Sequence, residues 1–106
     1  MIDKVKLKNL SDVKTEFIYK VEKDETVFSL AEKFHTTVQV IVKINGLTDE
    51  IKCGQFILIE RIDGEEYYVK PKDTILEIAK GDVQKKTEII AKNRIDYLYV
   101  GQKLYL

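Results

Sequence analysis

The sequence predicts an α+β fold built from two copies of one small strand, helix, helix, strand unit, and three observations carry that expectation. One punctuation occurs twice: Asn45, a polar run, Ile51, Gly54, Gln55 and an alternating apolar tail, then Asn93, Leu98, Gly101, Gln102 and a similar tail ending at Leu106. Tyr19 and Val21, and later Tyr67 and Val69, each alternate with polar or differently facing neighbours, as strands with one buried side do. Behind Thr26 and again behind Thr74, apolar residues recur at helical spacing. Self-similarity at a fixed period is decisive for fold and has to be tested first. It places an arm at 1–16, one unit at 17–60, a connection at 61–66 and a second unit at 67–106.

In chain order, Val5 and Leu7 alternate within an otherwise polar segment, so 1–16 is expected to be a partly ordered arm. Phe17, Tyr19 and Val21 supply the inner face of a first strand, which the charged Lys23, Asp24 and Glu25 end. Thr26 is the expected N-cap of a helix whose stripe is Val27, Leu30, Ala31 and Phe34. Thr37 is expected to cap the next helix. Its sequence, with Val38, Val40, Val42 and Ile44 alternating, has the period of a strand. The second copy decides against a strand: at a spacing of 48, Ile89 and Ile90 lie opposite Ile41 and Val42 without any alternation. A helix over 38–44 is therefore expected, with Val38, Ile41 and Val42 inward and Asn45 in the left-handed conformation at its end.

Ile57 and Ile59 should point inward from the closing strand, as should Leu104 and Leu106 in the second copy. Phe56 and Leu58, and correspondingly Lys103 and Tyr105, should point outward, with the arm or the other copy covering the outward Phe and Leu. Asp63 and Gly64 form a type I′ signal between strand-like residues, which predicts a hairpin joining the two copies. In the second copy, Pro71 precedes the turn Lys72, Asp73, Thr74, and Thr74 with Glu77 makes a capping box. Asp82 stands where Phe34 stood, and Val83 is expected to fill the space left by that ring.

Composition narrows the function. At 106 residues with 44% apolar and 34% charged side chains, the chain is globular. Units this small usually need a staple, and a lone cysteine offers no internal disulfide. Packing of one copy on the other is the expected substitute. Eighteen basic groups balance eighteen acidic ones and no third of the chain is strongly basic, so nucleic acid is excluded as a partner. One His and one Cys cannot build a usual zinc site, so no metal or cofactor is expected. His35 and Cys53 lack any third group to orient them, which argues against a catalytic pair. No stretch is long enough to span a membrane. The first ten residues lack the apolar run of about 7 to 15 that a secretory leader needs. A cytoplasmic protein is expected, reaching a cell wall, spore surface or phage particle only by another route.

The combination of Tyr, x, Val, an acidic residue with Thr, an apolar residue, alanine four positions on, asparagine fourteen after that, and a closing Gly, Gln resembles the LysM domain in two tandem copies. The resemblance implies a βααβ unit with both helices on one face of a two-stranded antiparallel sheet. It also implies non-catalytic binding of glycans containing N-acetylglucosamine, peptidoglycan first and chitin-type oligomers second. The implied groove lies between the loop after the first strand and the loop before the second. On matching positions it comprises Asp24, Glu25, Thr26, Val27, Gly46, Leu47, Thr48, Asp49 and Ile51. In the second copy it comprises Lys72, Asp73, Thr74, Ile75, Arg94, Ile95, Asp96, Tyr97 and Leu98. Where the family has a glycine before the acidic residue and Thr, this chain has Asp24 and Lys72, and lysine tolerates positive φ less readily than aspartate.

Other readings of these residues stand beside the groove. Asn45 and Asn93 suit helix termination better than ligand contact, and the Gly, Gln pairs suit turn geometry. Leu47 and Ile95 serve equally as core plugs or sugar platforms. The competing function is an assembly module of spore-coat or phage-tail type that uses the same fold for protein contacts.

Overall fold

The structure, a computed structural model, describes residues 15–106. Eight elements follow in order: β1 (Glu16–Lys20), α1 (Val27–Lys33), α2 (Val38–Asn45), β2 (Phe56–Glu60), β3 (Glu66–Tyr68), α3 (Ile75–Ile78), α4 (Val83–Asn93) and β4 (Lys103–Tyr105). The arm expected over 1–16 lies outside the described residues except for Thr15 and Glu16, and Glu16 already belongs to β1. β1 pairs antiparallel with β2, placing Phe17 opposite Ile59 and Tyr19 opposite Ile57. β3 pairs antiparallel with β4, placing Tyr67 opposite Leu104.

Each half has its own core. In the first, Val21, Leu30, Ala31, Ile41, Ile57 and Ile59 are buried together, with Tyr19, Val27, Phe34 and Leu47 packed around them. The second is smaller: Val69, Ala79, Ile89 and Leu104, flanked by Ile75, Ile78, Ile95, Leu98 and Leu106. The expected stripes of α1 and α3 are thus the ones that reach the cores. Thr26, Thr37 and Thr74 all cap as expected, each hydroxyl accepting from the backbone N–H three residues on. Only the second copy was expected to have a capping box, but α1 has one too, because Ser29 Oγ accepts from the Thr26 N–H at 2.9 Å. Serine is short yet reaches back as Glu77 does.

Several expectations are corrected. The two halves are not joined by a hairpin: β2 and β3 belong to separate sheets, residues 61–65 lie in no strand, and Glu66, expected in the connection, already belongs to β3, where it pairs with Tyr105. Ile62 explains why, since it is buried with Val40 and Tyr105 in a third apolar cluster between the halves and is held there by its N–H donating to the His35 carbonyl. Gly64, at φ 118°, lets the connection pass directly over the carbonyl of Leu106, where a Cβ would overlap that oxygen. Tyr105 is therefore not outward in any useful sense; it is 0% exposed because the first half covers it. The second half does not cover Phe56, which is 67% exposed, and the arm, the other cover expected for it, lies outside the described residues.

The same interface corrects the faces of α2. Val40 is buried and Val38 is exposed, whereas Ile41 faces its own core. A helix with two buried faces carries more apolar residues than one stripe holds, which accounts for the strand-like alternation of its sequence. The asparagines also act differently from expectation. Asn45 is the last helical residue, and Gly46 takes the left-handed cap; in the second half Arg94 takes it at φ 49°. Asn45 instead ties helix to strand, donating to the Ile41 and Leu58 carbonyls and accepting from Leu58 N–H at 2.8 Å. Asn93 repeats this with Ile89 and Tyr105, and is 2% exposed. Val83 does not replace Phe34, since it is 67% exposed at the start of α4. Asp82 caps that helix, accepting from the Gln84 and Lys85 N–H groups, so α4 begins earlier than its counterpart and α3 is a single turn.

Candidate functional site

The turn after β1 is fixed by one carboxylate. Glu25 accepts from the Glu22 N–H at 2.7 Å and from the Tyr19 hydroxyl at 2.9 Å, and pairs with Lys33 at 3.3 Å. The Lys33 ammonium in turn lies over the Tyr19 and Phe34 rings, 5.1 and 5.3 Å from their centroids. The backbone bond from Glu22, with the Tyr19 and Lys33 bonds behind it, holds the Glu25 carboxyl below its ordinary range. Asp24, at φ 65°, makes the reversal that directs the chain into α1. Glu25 and Thr26 therefore spend their polar atoms on the turn. What they present outward is the backbone, Val27 and the Asp24 side chain.

Opposite this turn runs the segment from Leu47 to Ile51. Asp24, Glu25, Thr26 and Val27 face Glu50 and Ile51 across a depression of about 370 Å³. A second depression of about 490 Å³ adjoins it through Val27 and Glu50 and is lined further by Val38, Val42, Leu47, Thr48 and Asp49. The structure thus brings together every first-copy groove residue except Gly46, whose part is the helix cap. Glu50, which joins the two depressions, was not foreseen; an exposed glutamate in a polar run carries no distinguishing signal. The floor is apolar and partly taken from the core, since Val27, Leu47 and Ile51 all pack on it. The rim is polar and exposed at Thr48, Asp49 and Glu50. Such a shape suits a ligand with alternating apolar and hydrogen-bonding groups.

The second half repeats the turn but not the groove. Asp73 accepts from the Tyr67 hydroxyl at 2.6 Å and from the Lys70 N–H at 2.8 Å, and Lys72 adopts φ 73° in the place of Asp24. Thr74 caps α3, and Ile75 packs on the core. The facing loop, however, is drawn to the first half. Arg94 pairs with Glu60 at 3.3 Å, and its carbonyl accepts from Gln39 and Lys43. Asp96 pairs with Lys43 at 2.7 Å. Ile95 and Leu98 are core plugs. Tyr97 opens on a cleft between the halves instead of facing the Thr74 turn. No sequence signal separated these two loops, because the residues that pull the second one away, Gln39 and Lys43, lie in the first half.

The Tyr67 bond, then the Lys70 N–H, holds Asp73 below its ordinary carboxyl range, and the same bond raises Tyr67 above the ordinary phenol range. A carboxyl lowered in the fold stabilises it above the unfolded value, and that contribution is lost as pH falls through the folded value. Tyr67→Phe is accordingly expected to raise the Asp73 value measured by NMR titration and to move acid unfolding to higher pH. An unchanged Asp73 titration would show that the phenol contributes nothing.

Comparison with known proteins bears on this geometry. The LysM domain family model matches residues 19–60, the stretch that contains the end of β1, then α1, α2, β2 and both walls of the first groove. No curated protein matches the chain. Among solved structures, the spore cortex-lytic enzyme SleL of Bacillus cereus is 31% identical with a TM-score of 0.43, over 87% of this chain and 22% of that one. SleL of Bacillus megaterium QM B1551 is 24% identical with a TM-score of 0.42, over 88% of this chain and 23% of that one. The chain thus spans less than a quarter of either enzyme.

Proposed function

We propose that this protein is a non-catalytic carbohydrate-binding protein that recognises glycan containing N-acetylglucosamine, peptidoglycan above chitin-type oligomers. The single observation behind it is the coincidence of the first groove, with its apolar floor and polar rim, with the stretch that matches the LysM family. An acetamido group offers one donor, one acceptor and a methyl, which loop backbone and the Val27 and Leu47 surface complement. The second half is, in this reading, a diverged copy of the same unit: its strand, helix, helix, strand order, its Tyr67 to Asp73 lock and its Asn93 bridge repeat those of the first. Its Asp73, Thr74 and Ile75 turn no longer faces a groove wall of its own.

The test is a pull-down on purified peptidoglycan and on chitin, followed by calorimetric titration with N-acetylglucosamine oligomers. Binding in the micromolar to millimolar range is expected, and Thr48→Arg, at the exposed rim, should weaken it by about tenfold. No binding at millimolar oligomer by a protein with an intact circular dichroism spectrum would refute the glycan reading.

A second reading has its own observation. Ile18 and Phe56 are both exposed on the outer side of the β1 and β2 sheet, an apolar surface that suits protein contact in an assembly. Retention of glycan binding in Phe56→Ser separates that face from the groove.

A further inference from the structure

The first groove does not stop at Glu50. Through Val38 and Val42 it runs into the cleft between the halves, where Tyr97 and Tyr99 form one wall. Through Val38, Gln39 and Tyr99 that cleft continues to a pocket of about 260 Å³ walled by Phe28 and Tyr68. We propose that this inter-half cleft is a second saccharide site, taking the onward run of the same N-acetylated glycan chain that enters at the Thr26 turn. The proposal rests on the glycan reading above and adds to it an occupant for surface contributed by the second half.

Three features favour a sugar chain here. The first is the aromatic wall: Tyr97 and Tyr99 are 66% and 51% exposed, with ring centroids 5.9 Å apart and planes inclined by 41°. Two phenol faces side by side offer successive platforms for the C–H faces of pyranose rings, with hydroxyls at their edges for hydrogen bonding. The second is the floor, which is preformed. Gln102 is buried, accepts from the Tyr99 N–H at 3.0 Å and donates to Gln39 at 3.0 Å, while Gln39 donates to the Arg94 carbonyl at 2.7 Å. A surface already ordered loses little entropy when a ligand settles on it. The third is charge. Lys103 pairs with Glu32 at 2.7 Å along one part of the cleft and Lys43 with Asp96 at 2.7 Å along another. Each cation is balanced, so the cleft has no bias towards a polyanion or a charged peptide and suits an uncharged, hydroxyl-rich polymer.

The experiment compares oligomer length. The protein and its Tyr97→Ala, Tyr99→Ala double variant are titrated calorimetrically with N-acetylglucosamine trimer and octamer, and sedimentation is measured at the same concentrations. Both side chains are exposed, and circular dichroism verifies the fold of the variant. The unaltered protein should bind octamer at least tenfold more tightly than trimer, and the double variant should lose that gain while keeping its trimer affinity. Equal affinities for trimer and octamer, or an octamer gain that survives the double substitution, would overturn the cleft site alone. No binding of either oligomer overturns the glycan reading with it. Self-association that disappears in the double variant, with no length dependence, would reassign the cleft to a second copy of the chain.

Discussion

Tyr105→Ala is expected to lower the unfolding free energy by about 3 to 5 kcal/mol, the range for truncating a fully buried aromatic ring, and to separate the unfolding of the two halves. Tyr105 is the largest fully buried side chain and sits in the joint, against Val40 and Ile62. Its ring packs on His35 at 4.3 Å between centroids, and the Lys103 ammonium lies 5.3 Å from its centre. His35 is held in turn, since a carbonyl can only accept and its Nδ1 lies 2.6 Å from the Ile62 oxygen. Nδ1 therefore carries a proton. Each half alone is of a size that rarely sustains a stable core, so removing the shared ring should leave the smaller second core to melt first. Differential scanning calorimetry should show one cooperative transition for the unaltered protein and two for the variant. A single transition in Tyr105→Ala, shifted by less than about 1 kcal/mol, would mean that the joint contributes little. Tyr105→Phe should be mild, because the hydroxyl's bonds to Thr36 and Glu66 are both 3.5 Å long.

Asn93→Ala is expected to cost about 2 to 4 kcal/mol, more than any exposed substitution in the chain. The side chain satisfies both the N–H and the carbonyl of Tyr105 at 2.8 Å, and also bonds the Ile89 carbonyl. Removing it orphans buried backbone groups on the strand that carries the joint ring. The equivalent change at Asn45 should cost less, since the bonds to Leu58 are only partly buried. Urea unfolding of the two variants measures the difference, and equal losses would contradict the role of burial.

How much of this was legible in the sequence follows from the range of each interaction. Thr26, Thr37 and Thr74 and the stripes behind them declared themselves because a cap and a helical period are local properties. Asn45 and Asn93 were read correctly as architecture but with the wrong physics, since their partners Leu58 and Tyr105 lie twelve or thirteen residues away. The Asp63, Gly64 pair describes a turn, yet pairing of β2 is decided by β1 and pairing of β3 by β4. Val40, Ile62 and Tyr105 had no period in common, so their cluster was invisible until the halves were seen together. The same holds for the site. The two walls of the first groove lie within one half, so the resemblance sufficed to place them opposite each other. Arg94 and Asp96 could not be placed that way, because Glu60 and Lys43, which redirect them, belong to the first half.

In the glycan reading proposed above, the connection that replaces a flexible tether has a consequence for the polymer. Between the two halves the chain is pinned by Ile62 and passes over the Leu106 carbonyl at Gly64, so it has no slack to let one half swing. Two independently mobile heads could each settle on a sugar chain in its resting shape and share it by proximity. A pair locked in one orientation acts as a caliper: bending falls to the polymer, and a strand whose curvature already matches the protein loses the least entropy on contact.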